Sequence, residues 1–206
     1  MSHLYYIHDP MCSWCWGFRP TLDDLLNQIP EEVSTSRLLG GLAPDSVDPM
    51  PEVMRIKLQM TWRHIQKKLP DTCFNFDFWT DNTPRRSTYP ACRAVIVARA
   101  LDGSTEDAMI LAIQQAYYLQ ARNPSDNDIL NELAEEIGLD KDRFREKIGH
   151  KSTQLQLESE IEQSIRMGAR SFPSLIFQKD GGYWPVAVDY HSADSMLEII
   201  DKLCST

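Results

Sequence analysis

Asp9-Pro10-Met11-Cys12-Ser13-Trp14-Cys15-Trp16 follows directly on the first apolar run, Leu4 to Ile7, and precedes the first stretch of helical periodicity, marked by Phe18, Leu22, Leu25, Leu26 and Ile29. The reading is a buried strand, a turn at Asp9-Pro10, and a helix that opens on two cysteines. A cysteine at the first helical position faces unpaired backbone N–H groups and the positive end of the helix dipole, and both favour thiolate over thiol. Cys12 is therefore the expected nucleophile. Cys15 lies about one turn further on the same face, within reach of a mixed disulfide formed at Cys12, which makes it the expected resolving thiol. Ser13 and Trp14 between them set the redox poise without adding a formal charge, so thiolate stabilisation is expected mainly from the helix terminus and from donors outside the motif. His8 has two readings: a cation beside the thiolate, or a satisfied polar residue ending the strand. Asp9 either moves protons to Cys15 or makes an Asx turn, and the turn is favoured. A zinc site needs a second CxxC or a histidine pair; Cys73, Cys92 and Cys204 supply neither, so no metal and no other cofactor is expected.

Outward from this stretch, Glu31 to Leu39 reads as a second strand closed by Gly40-Gly41, which makes a βαβ unit with parallel strands. From residue 44 to 168 the periodicity is helical. Met54 to Leu69, Ala91 to Leu101 and Asp107 to Leu119 are the apolar segments, with an aromatic-rich loop from Cys73 to Trp79. Ser125 and Asp128 form a capping-box pattern, Gly138 is a stop, and Asp140 caps a short helix holding Phe144 and Ile148. Leu157, Ile161 and Ile165 mark one face of a further helix ended by Gly168, and Glu158, Glu160 and Glu162 read as its solvated side. Cys73 and Cys92 are expected to be buried thiols, unless close enough to bridge. Ser174 to Gln178, a turn over Lys179 to Gly182, and Tyr183 to Val188 read as a hairpin whose second strand, with Pro185, lies at a sheet edge. Ser192 is the expected cap of a last amphipathic helix. The fold class is α/β: residues 1–43 and 169–206 make one body, and 44–168 an inserted helical domain.

The net charge of -9 argues against nucleic acid and anionic membrane as partners, because both require a basic face. Met1 to His8 has no basic, apolar and small-residue succession of a secretory leader, and five cysteines without one suggest a reducing, cytoplasmic setting.

The run from Asp9 to Phe18 closely resembles the motif of the FrnE-like, cytosolic branch of the DsbA family. Gly40-Gly41-Leu42, Tyr89-Pro90-Ala91-Cys92-Arg93-Ala94, Ala121-Arg122-Asn123-Pro124-Ser125 and Ser171-Phe172-Pro173-Ser174 match it in the same order. The resemblance covers nearly the whole chain. It implies a thioredoxin-like fold, βαβ then ββα, with a large helical insertion. It also implies a cis peptide bond before Pro173, which keeps a competing donor from the nucleophile, and a Phe172 backbone that pairs with an extended substrate. Trp14 and Phe172, with Trp16 and Tyr89, are candidates for an apolar substrate surface. The implied activity is thiol-disulfide exchange with cysteine-containing proteins or peptides, with glutathione or another thiol as redox partner. Pro-His is the common DsbA dipeptide, and Ser13-Trp14 departs from it. Kappa-class transferases carry serine where Cys12 stands, so a glutathione-dependent transferase or isomerase is the rival enzyme, and a non-catalytic binding module or holdase the rival from another class.

Overall fold

Leu4, Tyr6 and Ile7 are buried because β1 (Ser2–His8) is an inner strand of a four-stranded sheet. The computed structural model describes residues 2–205. The next strand, β2 (Val33–Leu39), runs parallel to β1 with Ile7 opposite Leu38, as the short βαβ spacing requires. On the other side, β3 (Ser174–Lys179) is antiparallel to β1, and β4 (Gly182–Val186) pairs with β3 at the edge, giving the order β2-β1-β3-β4. Pro185 is therefore in the edge strand, where a missing N–H is tolerated. The hairpin turn is tighter than the four-residue connection expected. Asp180 and Gly181 both take left-handed φ, 49° and 80°, the two-residue geometry that matches strand twist.

One face of the sheet is covered by α1 (Ser13–Gln28) and α9 (Asp194–Ser205), with Phe18, Leu22, Leu25, Met196 and Ile200 packed on Leu4, Tyr6, Leu175 and Phe177. Pro20 lies inside α1, which continues through it. Ser192 does not cap α9 in the expected way; its hydroxyl accepts the Asp194 N–H one step outside the helix.

Between β2 and β3 come α2 (Glu52–Lys68), α3 (Phe78–Asp81), α4 (Tyr89–Leu101), α5 (Glu106–Tyr118), α6 (Asn127–Glu136), α7 (Lys141–Ile148) and α8 (Lys151–Arg166). The aromatic-rich loop contains the short α3, because Phe78 and Trp79 are pulled into the core formed around Trp62. Trp62 is fully buried, with Phe74 and Trp79 rings each 4.9 Å away and Tyr117 and Tyr118 at 5.5 Å. The capping box at Ser125 does not form: α6 starts after Asp126, and the Ser125 hydroxyl donates to the Ser87 carbonyl at 2.7 Å. Asp140 does cap α7, accepting from the N–H groups of Asp142 and Arg143. Ile165 falls off the apolar face and is exposed.

Charge ties the helices to the sheet. Glu160, expected on a solvated face, is only 3% exposed: one oxygen accepts the Leu39 N–H at 3.0 Å and the other pairs with Arg99. Asp107 of α5 holds Arg19 of α1 at 2.7 Å and Arg37 of β2 at 3.0 Å. A buried carboxylate persists where both oxygens have donors, and Glu160 meets that condition.

Candidate active site

The chain leaves β1 at His8, turns, and enters α1 with Cys12 at the N-cap, one residue before the expected first helical position. The turn is built by Asp9: its main-chain carbonyl accepts the Cys12 N–H at 3.0 Å, and Oδ1 accepts the Met11 N–H at 2.8 Å, an Asx turn. The other oxygen, Oδ2, does more than a turn requires. It accepts from the Leu42 N–H at 2.7 Å, the Thr88 hydroxyl at 2.6 Å and the Cys92 thiol at 3.5 Å. One fully buried carboxylate thus joins the Cys12 turn to the Gly40–Leu42 loop and to the start of α4. Burial lifts the pKa of Asp9, against the Thr88, Leu42, Met11 and Cys92 donors that favour its charge.

This arrangement has a measurable consequence. Replacing Asp9 by Ala leaves the Leu42 and Met11 N–H groups unpaired, at a cost of about 1–3 kcal/mol each, read by urea denaturation. The pH dependence adds a second mark. With the folded pKa above the unfolded one, the folded state holds the extra proton between the two values. Stability therefore falls as pH rises through that interval. The D9A variant is expected to lack this decline.

The two motif sulfurs are close, unbridged and unlike. Cys12 is 8% exposed and Cys15 fully buried, so only Cys12 is reachable from solvent. The Cys12 pKa is lowered, first by the Cys15 thiol hydrogen-bonded to its sulfur, then by the N–H groups of Cys15 and Trp14. These outweigh burial and the Asp9 charge, which push the other way. Stabilisation thus comes from the Cys15 thiol, ahead of the N–H groups of the helix terminus, and not chiefly from donors outside the motif. Burial, followed by the hydrogen bond and charge of Cys12, pushes the Cys15 thiol well up; the Tyr6 hydroxyl also bonds its sulfur.

His8 is not a cation. It is fully buried, stacked on Tyr6 with ring centroids 4.8 Å apart, and its pKa is pushed down to about 3 by burial and by the charges of Arg37, Arg99 and Arg19. Neither is it a satisfied polar residue, because both ring nitrogens are unpartnered among the described residues. The Ser13 hydroxyl accepts the Trp62 indole N–H at 3.1 Å, linking the motif to the helical core.

Phe172 reaches this site from the far end of the chain. Its carbonyl lies 3.5 Å from the Cys12 sulfur, and the Phe172–Pro173 bond is cis, with Pro173 buried. The Phe172 ring lies against Gly40, where a Cβ would stand 1.9 Å from it; only glycine permits this approach. Gly41, with φ +63°, turns the chain beside it.

A cleft of about 370 Å³ opens over Cys12, lined by Trp14, Phe172 and Tyr117 and by two cations, Arg86 and Arg170. Trp14 also meets Tyr190 and His64 edge-on, beside the exposed α2 side chains Val53, Ile56 and Met60. Trp16 points elsewhere and stacks on Tyr118, while Tyr89 packs near Gly41. Cys92 is buried on Asp9, whereas Cys73 is exposed, which corrects its expected burial. Sequence reasoning missed Tyr6, Thr88, Arg86 and Arg170. Arg86 and Thr88 lie just before the Tyr89 to Ala94 match and Arg170 just before Ser171, so the flanks of the matching segments held the signal.

A family model described as thioredoxin matches residues 5–183. Among curated proteins, the ClpXP adapter protein SpxH of Bacillus subtilis is 21% identical over 174 residues, covering 84% of this chain and 57% of that protein. SpxH of Halalkalibacterium halodurans is 22% identical over 209 residues, 94% of this chain and 67% of that protein. The chain thus spans little more than half the length of the first of these relatives. Among solved structures, a candidate protein disulfide isomerase from Nitrosomonas europaea superposes with TM-score 0.86 at 22% identity, covering 99% of this chain and 98% of that one. The cytosolic disulfide reductase DsbM from Pseudomonas aeruginosa gives TM-score 0.78 at 24% identity over 99% and 100%. Its structure with GSH gives 0.75 at 22% identity over the same shares. Sheet order, the helices between β2 and β3, and the match across most of the length converge: this chain belongs to the thioredoxin family, in its DsbA-like form.

Proposed function

We propose that the protein is a thiol-disulfide oxidoreductase that exchanges disulfides with cysteine-containing proteins or peptides through Cys12. The observation that carries this reading is the pairing of a reachable thiol with lowered pKa and a buried thiol, one turn on, with raised pKa. Cys12 attacks a substrate disulfide as thiolate, forming a mixed disulfide and releasing one substrate thiolate. Cys15 then loses its proton and attacks the Cys12 sulfur, forming the Cys12–Cys15 disulfide and releasing the second thiol. Run backwards, the same steps oxidise a dithiol. The Phe172 backbone and the Trp14 ring border the bound segment, and the buried Pro173 keeps a competing donor from the sulfur. Residues 1–43 and 169–206 form the exchange-active body, and 44–168 the inserted domain that walls the cleft. The likeness to a structure named a cytosolic disulfide reductase supports a cytoplasmic setting, and the GSH in its companion structure supports glutathione as redox partner.

The test is the redox equilibrium of the protein against glutathione buffers, read by alkylation and mass. A single two-electron transition confined to Cys12 and Cys15 is expected. A pair that never oxidises overturns the reading.

A second reading is favoured by the curated relatives' name and by the exposed Val53, Ile56 and Met60 beside Trp14: a protein-binding adapter on the same scaffold. Under it, client binding survives in the Cys12→Ser, Cys15→Ser double variant.

A further inference from the structure

Among the described residues, the two charged side chains that line the Cys12 cleft are both arginines, Arg86 and Arg170, with no carboxylate beside them in the lining. The chain has a net charge of -9, and Arg19, Arg37, Arg93, Arg99 and Arg122 are each taken up by a carboxylate. Neither Arg86 nor Arg170 makes a hydrogen bond or ion pair among the described residues. They reach the cleft from separate segments, Arg86 before α4 and Arg170 before Phe172. The whole-molecule field opposes an anion, so a negatively charged partner enters only where local cations reverse that field. A guanidinium is the side chain best matched to a carboxylate, through two parallel hydrogen bonds.

We infer that Arg86 and Arg170 hold carboxylates of the compound that exchanges at Cys12, so that the site selects anionic thiols and disulfides: glutathione, or cysteines flanked by acidic residues in a peptide. The inference rests on the exchange reading and adds to it the charge of the substrate. The cleft volume of about 370 Å³ falls in the range of small-ligand sites. The chemistry is balanced. The Cys12 thiolate attacks one sulfur of glutathione disulfide and expels a glutathione thiolate. The Cys15 sulfur, its proton released to solvent, then attacks Cys12 and expels a second. One disulfide is reduced to two thiols as the protein dithiol becomes a disulfide.

The experiment mixes the reduced full chain with glutathione disulfide, hydroxyethyl disulfide and cystamine, which are negative, neutral and positive. Formation of the Cys12–Cys15 disulfide is followed by quench and mass. In the native chain the rate ratio of glutathione disulfide to cystamine is expected to be roughly tenfold or more and to fall with added salt. In the R86Q, R170Q double variant the ratio is expected to collapse toward one, with R170Q alone giving part of the loss. Peptide disulfides with acidic or lysine flanks form the second arm. A variant that loses only its acidic-peptide preference identifies the client as the source of the carboxylates; loss of only the glutathione preference identifies the free thiol. A native ratio near one, or a ratio unchanged in the double variant, overturns the inference. Reaction with the neutral disulfide meanwhile shows that the exchange reading stands. A native chain that reacts with none of the three overturns the exchange reading itself.

Discussion

In the Cys15→Ser variant, a mixed disulfide with substrate is expected to accumulate at Cys12, whereas Cys12→Ser is expected to form none and to lose turnover altogether. The asymmetry follows from access and charge state together. Cys15 is fully buried and its thiol is pushed well up, so an external disulfide meets only Cys12. Once Cys12 is bonded to substrate, Cys15 is the sulfur of the chain placed to release it, and a serine hydroxyl cannot; the mixing is done without added thiol. Non-reducing mass spectrometry after mixing with a cysteine-peptide disulfide reads both outcomes. A third variant, Cys15→Ala, separates reactivity from resolution: without a side-chain donor at position 15, the largest cause of the lowered Cys12 pKa is gone, while the backbone N–H remains. The pH midpoint of Cys12 alkylation is expected to rise in C15A and to rise less in C15S. Equal turnover in C12S and C15S contradicts the assigned roles.

The largest expected loss of stability is that of Trp62→Ala. The side chain is fully buried, touches aromatic rings of α3, α5 and the loop before α3, and donates its indole N–H to Ser13 in the motif. Truncating a buried tryptophan costs about 3–5 kcal/mol, through lost transfer energy and the cavity left behind. For a chain of this size that corresponds to a fall in melting temperature of about 6–20 °C. Trp62→Phe keeps much of the packing and removes the hydrogen bond together with part of the ring volume. It is therefore expected to be milder in stability yet to leave the Ser13 oxygen without its indole donor. Thermal and urea denaturation measure both. A W62A cost below about 1 kcal/mol contradicts the central place of this side chain.

What was legible in the sequence was local. The apolar run at Leu4 to Ile7 and the period of α1 depend on neighbours a few residues apart, as do the Asp140 cap and the glycines at 138 and 168, with φ +86° and +90°. So does the Cys12–Cys15 pair. The misreadings share the opposite property. Glu160 looks solvated beside Glu158 and Glu162, because nothing nearby announces that Leu39 and Arg99 claim its two oxygens. Ser125 forgoes its capping box for a carbonyl at Ser87. Asp9 reads as an Asx turn, which it makes, while the partners that bury its second oxygen lie up to 83 residues away. The nearness of Phe172 to Cys12, across 160 residues, came from the family resemblance, since no periodicity encodes it.

The Cys15 thiol and the Cys15 and Trp14 N–H groups that lower the Cys12 pKa lie within the motif, yet the cleft above it needs Leu42, Arg86, Tyr117 and Phe172. The groups around the sulfur and the walls of the cleft are thus supplied at different moments in the synthesis of the chain. On the ribosome, residues 12 to 15 are made when most of the cleft has yet to be synthesised. A half-made chain, or a mature one whose last third has come loose, carries both motif cysteines without the Phe172 wall that borders them. The wall around Cys12 is complete only once Phe172 has been added.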